Sequence, residues 1–92
     1  MDAPIEVPIE DWLDLHPFQP RDIRDVALEY LVAARQRGLL QVRLIHGRGI
    51  GVQREIIRSL VTTLPWVVAF HDADPQGGGW GATIVVMKPV NS

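Results

Sequence analysis

All three histidines of this chain, His16, His46 and His71, come at the ends of short apolar segments. Asp14 stands two residues before His16. Side chains two apart on a strand share a face, so this carboxylate is placed to orient the imidazole directly, through a backbone shift or through a water. Histidine is the residue that most often transfers protons in enzymes. The spacing therefore predicts proton transfer at His16, with His46 as a second acid–base group or a phosphate contact. Taken singly, each histidine is more typical of a surface or loop residue.

His46 opens a glycine-rich loop, GRGIG, at residues 47–51. Its glycines are Gly47, Gly49 and Gly51. Such a loop lets backbone N–H groups turn inward at a helix N-terminus, where the helix dipole attracts anions. Arg48 adds a guanidinium suited to a phosphodiester, and Arg54 follows in the predicted helix. We expect this loop to hold phosphate. Its spacing matches neither the Walker A loop nor the dinucleotide-binding motif, and a tight turn that merely needs glycine is the alternative.

A second glycine-rich segment, GGGWG at residues 77–81, follows the third histidine. Gly79 and Gly81 allow close approach of the backbone to a ligand, and Trp80 offers a flat face for stacking on an unpaired base. A hairpin loop with Trp80 folded onto the sheet fits the residues equally well. The sequence leaves both interpretations open.

The charge of the chain is distributed unevenly. The net charge is −2, yet residues 1–14 hold five acids and no base, whereas residues 35–58 hold six arginines and one acid. Local charge steers a partner more than the total charge does. The basic segment therefore favours nucleic acid as the partner, with arginines that merely improve solubility as an equal alternative.

Hydrophobic periodicity predicts four strands and two helices. The strands are residues 12–16, 40–46, 66–71 and 82–87. One helix begins at Pro20 and ends before Gly38, and the other covers residues 52–64 and ends at Pro65. Residues 1–11 have no helical period and are predicted to form an extended acidic leader, followed by one domain at residues 12–90.

The element order β-α-β-α-β-β predicts an α/β (α+β) two-layer sandwich. Strand–helix–strand units join parallel strands by right-handed crossovers, which places both helices on one face of a four-stranded mixed sheet. The fourth strand follows without a helix and is predicted antiparallel to the third, but the strand order stays open. Parallel strands end at one edge, where the histidines should meet. The last strand is apolar on both faces, which favours a covered edge or a dimer contact.

Length and composition exclude several classes of protein. Ninety-two residues, 47% hydrophobic and 22% charged, are enough for one globular domain. The absence of cysteine excludes a disulfide framework, a thiolate zinc site and a cysteine nucleophile. The sequence has no apolar run long enough for a membrane span and no signal peptide, so a cytoplasmic location is expected.

Three motifs resemble those of the Smr (small MutS-related) domain family. Residues 13–16 (LDLH) are similar to its LDxH motif, residues 46–49 (HGRG) to its H/T-G-x-G motif, and residues 78–83 (GGWGAT) to its GGxGAT-like segment. The motifs stand in the family's order and spacing, and the similarity runs over residues 12–88. The resemblance implies a fold similar to the C-terminal domain of translation initiation factor 3. Pro17 is a departure, since many members have glycine there, and proline stiffens the loop.

The resemblance also implies nucleic-acid binding and, in many members, endonuclease activity that nicks DNA or cleaves RNA. Asp14 and His16 would then be the catalytic motif, Arg48 and its flanking glycines would hold phosphate, and the turn Gly79–Gly81 would line the site. The sequence carries no ATPase, clamp or helical RNA-binding repeats. Substrate selection is therefore expected to be loose or to depend on a ribosome, a repair protein or a second copy of the chain.

The leading hypothesis is a phosphodiesterase in which His16, oriented by Asp14, moves a proton. Arg48 and the second helix's N-terminal amides would stabilise the added negative charge. On RNA the 2′-hydroxyl is the nucleophile and no cofactor is needed, whereas on DNA water attacks and a divalent cation is expected. One alternative is a non-catalytic module that binds nucleic acid or ribosomes. The other is a metalloprotein. Its ligands would be His16, His46, His71 and either Asp14 or Asp72.

Overall fold

A computed structural model of the chain describes residues 9–47, 51–77 and 79–90. The elements in chain order are β1 (Trp12–Asp14), α1 (Pro20–Gln36), β2 (Gln41–Ile45), α2 (Val52–Thr62), β3 (Val67–Asp72) and β4 (Ala82–Met87). Two short 3₁₀ turns, Pro75–Gly77 and Gly79–Gly81, join the last two strands. The predicted element order is confirmed. β1 is shorter than predicted because the Asp14 side chain bonds the backbone N–H of His16, which turns the chain out of the strand.

The four strands form one mixed sheet in the order β1-β2-β4-β3. β1 pairs parallel to β2, and β4 pairs antiparallel to both β2 and β3. The carboxyl ends of β1, β2 and β3 therefore lie at one edge of the sheet, here called the carboxyl edge. The predicted antiparallel pairing of β3 and β4 is confirmed.

β4 is an interior strand, and the expectation that it lies at a covered edge is wrong. It separates β2 from β3 and is hydrogen-bonded on both sides. Val85 and Met87 are buried on the face that the helices cover, while Ile84 and Val86 on the opposite face are half-buried. An interior strand has a neighbour on each side, and the apolar side chains on its open face are half-buried. The dimer contact stays a prediction.

Both helices pack on the same face of the sheet, which confirms the two-layer sandwich. The fully buried side chains of the helices recur at helical spacing and those of the strands at every second residue. These residues are Ile23, Ala27, Leu31 and Ala34 in α1, Ile57, Leu60 and Val61 in α2, and Val42, Leu44, Val85 and Met87 in the sheet. In the described part of the chain, neither helix is long and apolar enough to cross a bilayer.

The last residues of the predicted leader are bound to the domain. Ile9 packs against the core, the hydroxyl of Tyr30 donates to the carbonyl of Glu10, and the backbone N–H of Arg43 donates to the carbonyl of Asp11 at 2.9 Å. Residues 1–8 lie outside the described residues. The chain therefore enters β1 along a defined path, which places Trp12 and Asp14 beside β2.

Candidate active site

Asp14 and His16 form a hydrogen-bonded pair at the end of β1. Nδ1 of His16 is 2.6 Å from Oδ1 of Asp14, and the same oxygen accepts the backbone N–H of His16 at 2.9 Å. These two bonds, the backbone one first, hold the pKa of the Asp14 carboxyl below its usual value. An ionised carboxylate only accepts, so the bond assigns a proton to Nδ1 and leaves the lone pair of a neutral ring on Nε2. The sequence left open whether Asp14 orients the imidazole directly, through a backbone shift or through a water. The structure shows a direct bond.

Gly47 lies against this imidazole. A Cβ placed on Gly47 would come within 2.7 Å of Nε2 of His16, closer than side-chain carbons approach other atoms. The φ angle of Gly47 is +85°, in the left-handed region that favours glycine. The positive φ therefore favours glycine here, and a side chain at this position would have to displace the ring of His16. The loop that follows β2 begins beside the nitrogen that carries the lone pair.

His46 is buried between β2 and β4, with 4% of its surface exposed. Its Nδ1 donates to the carbonyl of Gly47 at 3.0 Å, and its Nε2 accepts the hydroxyl of Thr83 at 2.9 Å. Burial lowers the pKa of His46, and the charges of Arg54 and Arg58 lower it further, so the ring is neutral. Both ring nitrogens are occupied. The predicted role of His46 in proton transfer or phosphate contact does not fit this placement, which suits a residue that holds Gly47 in position.

The turn Gly79–Gly81 is joined to the same loop by its backbone. The carbonyl of Gly81 accepts the N–H of His46 at 3.0 Å and the N–H of Gly47 at 2.9 Å, and the N–H of Gly79 donates to the carbonyl of Asp74 at 2.8 Å. The described residues of the three motifs that the sequence singled out thus meet at the carboxyl edge. The Asp14–His16 pair stands at the end of β1, the glycine-rich loop follows β2, and the turn Gly79–Gly81 precedes β4.

Two arginines of α2 share one carboxylate at the end of β3. Oδ1 of Asp72 accepts Nη2 of Arg54 at 2.9 Å and Nη2 of Arg58 at 2.6 Å. The bond from Arg54, and then the charges of both arginines, hold the pKa of Asp72 below its usual value. Arg58 also stacks on the ring of Phe70, 5.2 Å from its centroid. Oε1 of Glu55 lies 3.9 Å from Nη1 of Arg54, so the two guanidinium groups face two carboxylates. The charges of Arg54, Arg58 and Asp72 all act on His46.

Part of the predicted phosphate loop lies outside the described residues. Arg48 and Gly49 belong to that part. The side chain of Trp80, a residue of the turn Gly79–Gly81, also lies outside the described residues. Gly51 is described and stands directly before α2, where its carbonyl accepts the N–H of Glu55 at 3.0 Å. The N-terminus of α2 therefore begins where the loop ends, as the sequence predicted.

His71 lies at the carboxyl edge but does not join the other histidines. It is exposed, its Nδ1 donates to the carbonyl of Asp72 at 2.9 Å, and β4 separates its strand from β2 by about 10 Å. Within residues 9–47, 51–77 and 79–90, no group of three or more histidines and carboxylates is arranged to hold a metal ion. The structure does not assemble the three-histidine ligand set of the metalloprotein alternative.

Sequence reasoning missed the contribution of Thr83. Its side chain is completely buried in β4 and supplies the hydroxyl that occupies Nε2 of His46. A polar residue at the start of an otherwise apolar strand was the available signal, because buried hydroxyls need a hydrogen-bond partner. The pairing of Asp72 with Arg54 carried no comparable signal, since the two residues are 18 apart in sequence.

The chain matches a known protein family. The profile of the Smr domain family covers residues 13–88. Among curated proteins, endonuclease MutS2 of Thermus thermophilus is 43% identical over 65 residues, which is 71% of this chain and 8% of that protein. Endonuclease MutS2 of Lactiplantibacillus plantarum is 37% identical over 76 residues, which is 83% of this chain and 10% of that protein. The chain thus spans about a tenth of the length of these relatives.

Several solved structures are similar to this fold, among them the following two. The Smr domain of Thermus thermophilus MutS2 superposes with a TM-score of 0.80 at 35% identity, covering 85% of this chain and 98% of that one. YdaL, a stand-alone small MutS-related protein from Escherichia coli, superposes with a TM-score of 0.81 at 26% identity, covering 88% and 66% respectively. These similarities confirm both the fold class and the resemblance inferred from the three motifs.

Proposed function

This chain belongs to the Smr domain family, and from that premise we propose that it binds nucleic acid and cleaves phosphodiester bonds as an endonuclease. The Asp14–His16 pair carries the proposal. It offers an imidazole that is 59% exposed, held by a carboxylate and directed at a glycine loop. Relatives named endonuclease MutS2 support the same reaction class.

In the proposed reaction, Nε2 of His16 takes the proton of the attacking oxygen. Asp14 keeps the other ring nitrogen protonated and stabilises the imidazolium that forms. On RNA the attacking group is the neighbouring 2′-hydroxyl. Its oxygen bonds to phosphorus, the 5′-oxygen leaves and takes a proton from solvent, and the products are a 2′,3′-cyclic phosphate and a 5′-hydroxyl. This reaction requires no cofactor.

On DNA the attacking group is water, because there is no 2′-hydroxyl. Water is a weaker nucleophile, and we expect a divalent cation to assist its deprotonation. The residues proposed for proton transfer are the same in both cases. Preference for DNA or RNA then depends on how the chain places the nucleophile.

The negative charge that develops on phosphorus requires donors close to Nε2. We propose that Arg48, Gly49, Gly51 and the N-terminal amides of α2 supply them. Gly47 does not fit its predicted phosphate contact, because its N–H donates to the carbonyl of Gly81. Arg54 and Arg58, both bonded to Asp72, lie in the first turns of the same helix, and we propose that Arg54 contributes to phosphate binding there. Binding of a ribosome, a repair protein or a second copy of the chain, and a cytoplasmic location, stay predictions.

The test is incubation with supercoiled plasmid and with structured RNA, each with and without a chelator. The native chain is compared with His16→Ala and with the control variant His71→Ala, which removes an exposed histidine from the same edge. We expect the native chain and His71→Ala to nick or cleave at least one substrate and His16→Ala to lose that activity. If the chelator abolishes DNA nicking but leaves RNA cleavage unchanged, the result would support a requirement for a divalent cation in the reaction on DNA.

A different outcome would favour the alternative function. Binding that weakens steeply with salt, without product after prolonged incubation, would identify a non-catalytic nucleic-acid or ribosome-binding module. Cleavage retained by His16→Ala would overturn the assignment of the proton-transfer residue. The two outcomes are distinguishable because binding is measured separately from product.

A further inference from the structure

One face of the sheet continues from the Asp14–His16 pair away from the carboxyl edge. Trp12 of β1 pairs in register with Arg43 of β2, and Arg43 with Ile84 of β4. Their neighbours Leu44 and Val85 are buried under the helices, so these three residues lie on the opposite face. They form a row across three adjacent strands.

Trp12 is 42% exposed, although tryptophan has a large apolar side chain that a sheet could bury. Trp12 shares its face with Asp14, two residues further along β1, and the two are therefore about 6.6 Å apart along the strand. One nucleotide of an extended strand spans such a distance. Trp12 thus lies about one nucleotide from Asp14, the residue that holds the imidazole of His16.

A shallow depression adjoins this row on the same face. Its volume is about 210 Å³, and the side chains that line it include Asp11, Gln41, Arg43 and Ile84. An amide, a guanidinium and a carboxylate together offer donors and acceptors of the kind that pair with the edge of a nucleobase. The apolar surface of Ile84 provides a floor between them.

We propose that this face, formed by Trp12, Gln41, Arg43 and Ile84 and here called the Trp12 platform, binds an unpaired segment of nucleic acid next to the scissile phosphate. Trp12 stacks on a base, and Arg43 contacts the backbone or the edge of that base. The inference rests on the proposed function and adds a substrate class, single-stranded over double-stranded nucleic acid.

The preference for an unpaired strand follows from the geometry of stacking. In a duplex, both faces of every internal base are covered by neighbouring bases, and only base edges are accessible in the grooves. An exposed indole on a sheet face reaches a base face only when the base is unpaired. Arg43, which pairs with Trp12 in the sheet, adds a cation that attracts both phosphate and aromatic rings.

The test measures binding without cleavage. The His16→Ala chain is the background, and fluorescence anisotropy reports its affinity for a labelled single strand and for a blunt duplex of the same sequence. Trp12→Ala in this background should weaken single-strand binding about tenfold and leave duplex binding within about twofold. Trp12→Phe keeps an aromatic face and should stay within about threefold of the parent.

The matched control is Val32→Ala. Val32 is an exposed apolar residue of α1, on the opposite side of the molecule from the platform. It should change neither affinity. Thermal unfolding of each variant verifies that it is folded. If Trp12→Ala does not fold, a second measurement replaces it: quenching of tryptophan fluorescence by the single strand is compared between the parent and Trp12→Phe. The proposal requires Trp12→Phe to lose most of the quenching that the parent shows.

Several results would overturn the platform. One is that Trp12→Ala weakens single-strand and duplex binding equally, and another is that it weakens neither. The third is that Trp12→Phe binds the single strand as weakly as Trp12→Ala does. Because anisotropy requires no cleavage, failure of the platform is distinguishable from failure of the endonuclease. Retained cleavage by His16→Ala would overturn only the catalytic assignment, whereas unchanged strand preference in Trp12→Ala would overturn only the platform.

Discussion

Two histidine–oxygen hydrogen bonds at the carboxyl edge have opposite surroundings. His16 bonds the carboxylate of Asp14 on the edge strand β1, and its side chain is 59% exposed. His46 bonds the hydroxyl of Thr83 between two interior strands, and only 4% of its surface is exposed. The first ring directs a lone pair at the loop, whereas the second uses both nitrogens inside the protein.

The difference teaches that position in the sheet, and not residue type, determines what a histidine does here. An ionised partner and access to solvent suit His16 to transfer protons. Burial keeps His46 neutral and makes it a support for the backbone of Gly47. Each of the following experiments changes one side of this comparison.

The largest effect is expected for His16→Ala on cleavage. Loss of a general base typically lowers the rate by about 10²–10⁴-fold. The same change should alter the free energy of unfolding by less than about 0.5 kcal/mol, because the side chain is largely exposed. Initial rates and urea unfolding measure the two quantities. A stability loss as large as that of His46→Ala would abolish the contrast between the two histidines.

His46→Ala should have its main effect on the free energy of unfolding and not on the cleavage rate. The change leaves a cavity and an unpaired Thr83 hydroxyl in the core, and we expect a loss of about 2–4 kcal/mol in the free energy of unfolding. Thr83→Val, which removes the hydroxyl alone, should cost less, about 1–2 kcal/mol. Urea unfolding measures both. An unchanged stability together with lost cleavage would indicate that His46 takes part in the reaction.

Gly47→Ala and Gly38→Ala separate backbone strain from the contact with His16. Their φ angles are +85° and +81°, so each substitution should cost about 1–2 kcal/mol of stability. A Cβ at Gly38 meets nothing within 4 Å, whereas one at Gly47 reaches Nε2 of His16. Only Gly47→Ala should therefore lower the cleavage rate, by about tenfold or more. Equal rates in the two variants would exclude a role for this contact.

The smallest expected effect is a dependence of stability on pH. The pKa of His46 is lowered in the folded state, so the unfolded chain binds the proton more tightly. Stability is complete above the ordinary value of about 6.5 and falls as the pH decreases towards the lowered pKa, by at most about 1.4 kcal/mol per pH unit. Urea unfolding between about pH 8 and 5 measures the slope. His46→Asn should reduce it, and an unchanged slope would assign the effect to other groups.

The sequence predicted the local features of the site. Apolar periodicities of about 3.6 and 2 located the helices and strands, and Pro20, Gly38 and Pro65 located helix ends, because these signals act within a few residues. The Asp14–His16 pair was predictable for the same reason, since the two residues are close together in any strand or turn.

Only the tertiary structure decided the strand order and hence which histidine is exposed. Insertion of β4 between β2 and β3 brings Thr83 to His46 across 37 residues and leaves His16 on an edge strand. The same arrangement places Trp12 beside Arg43 on the open face. Long-range pairings depend on how the whole sheet buries its apolar surface, and no short stretch of sequence contains that information.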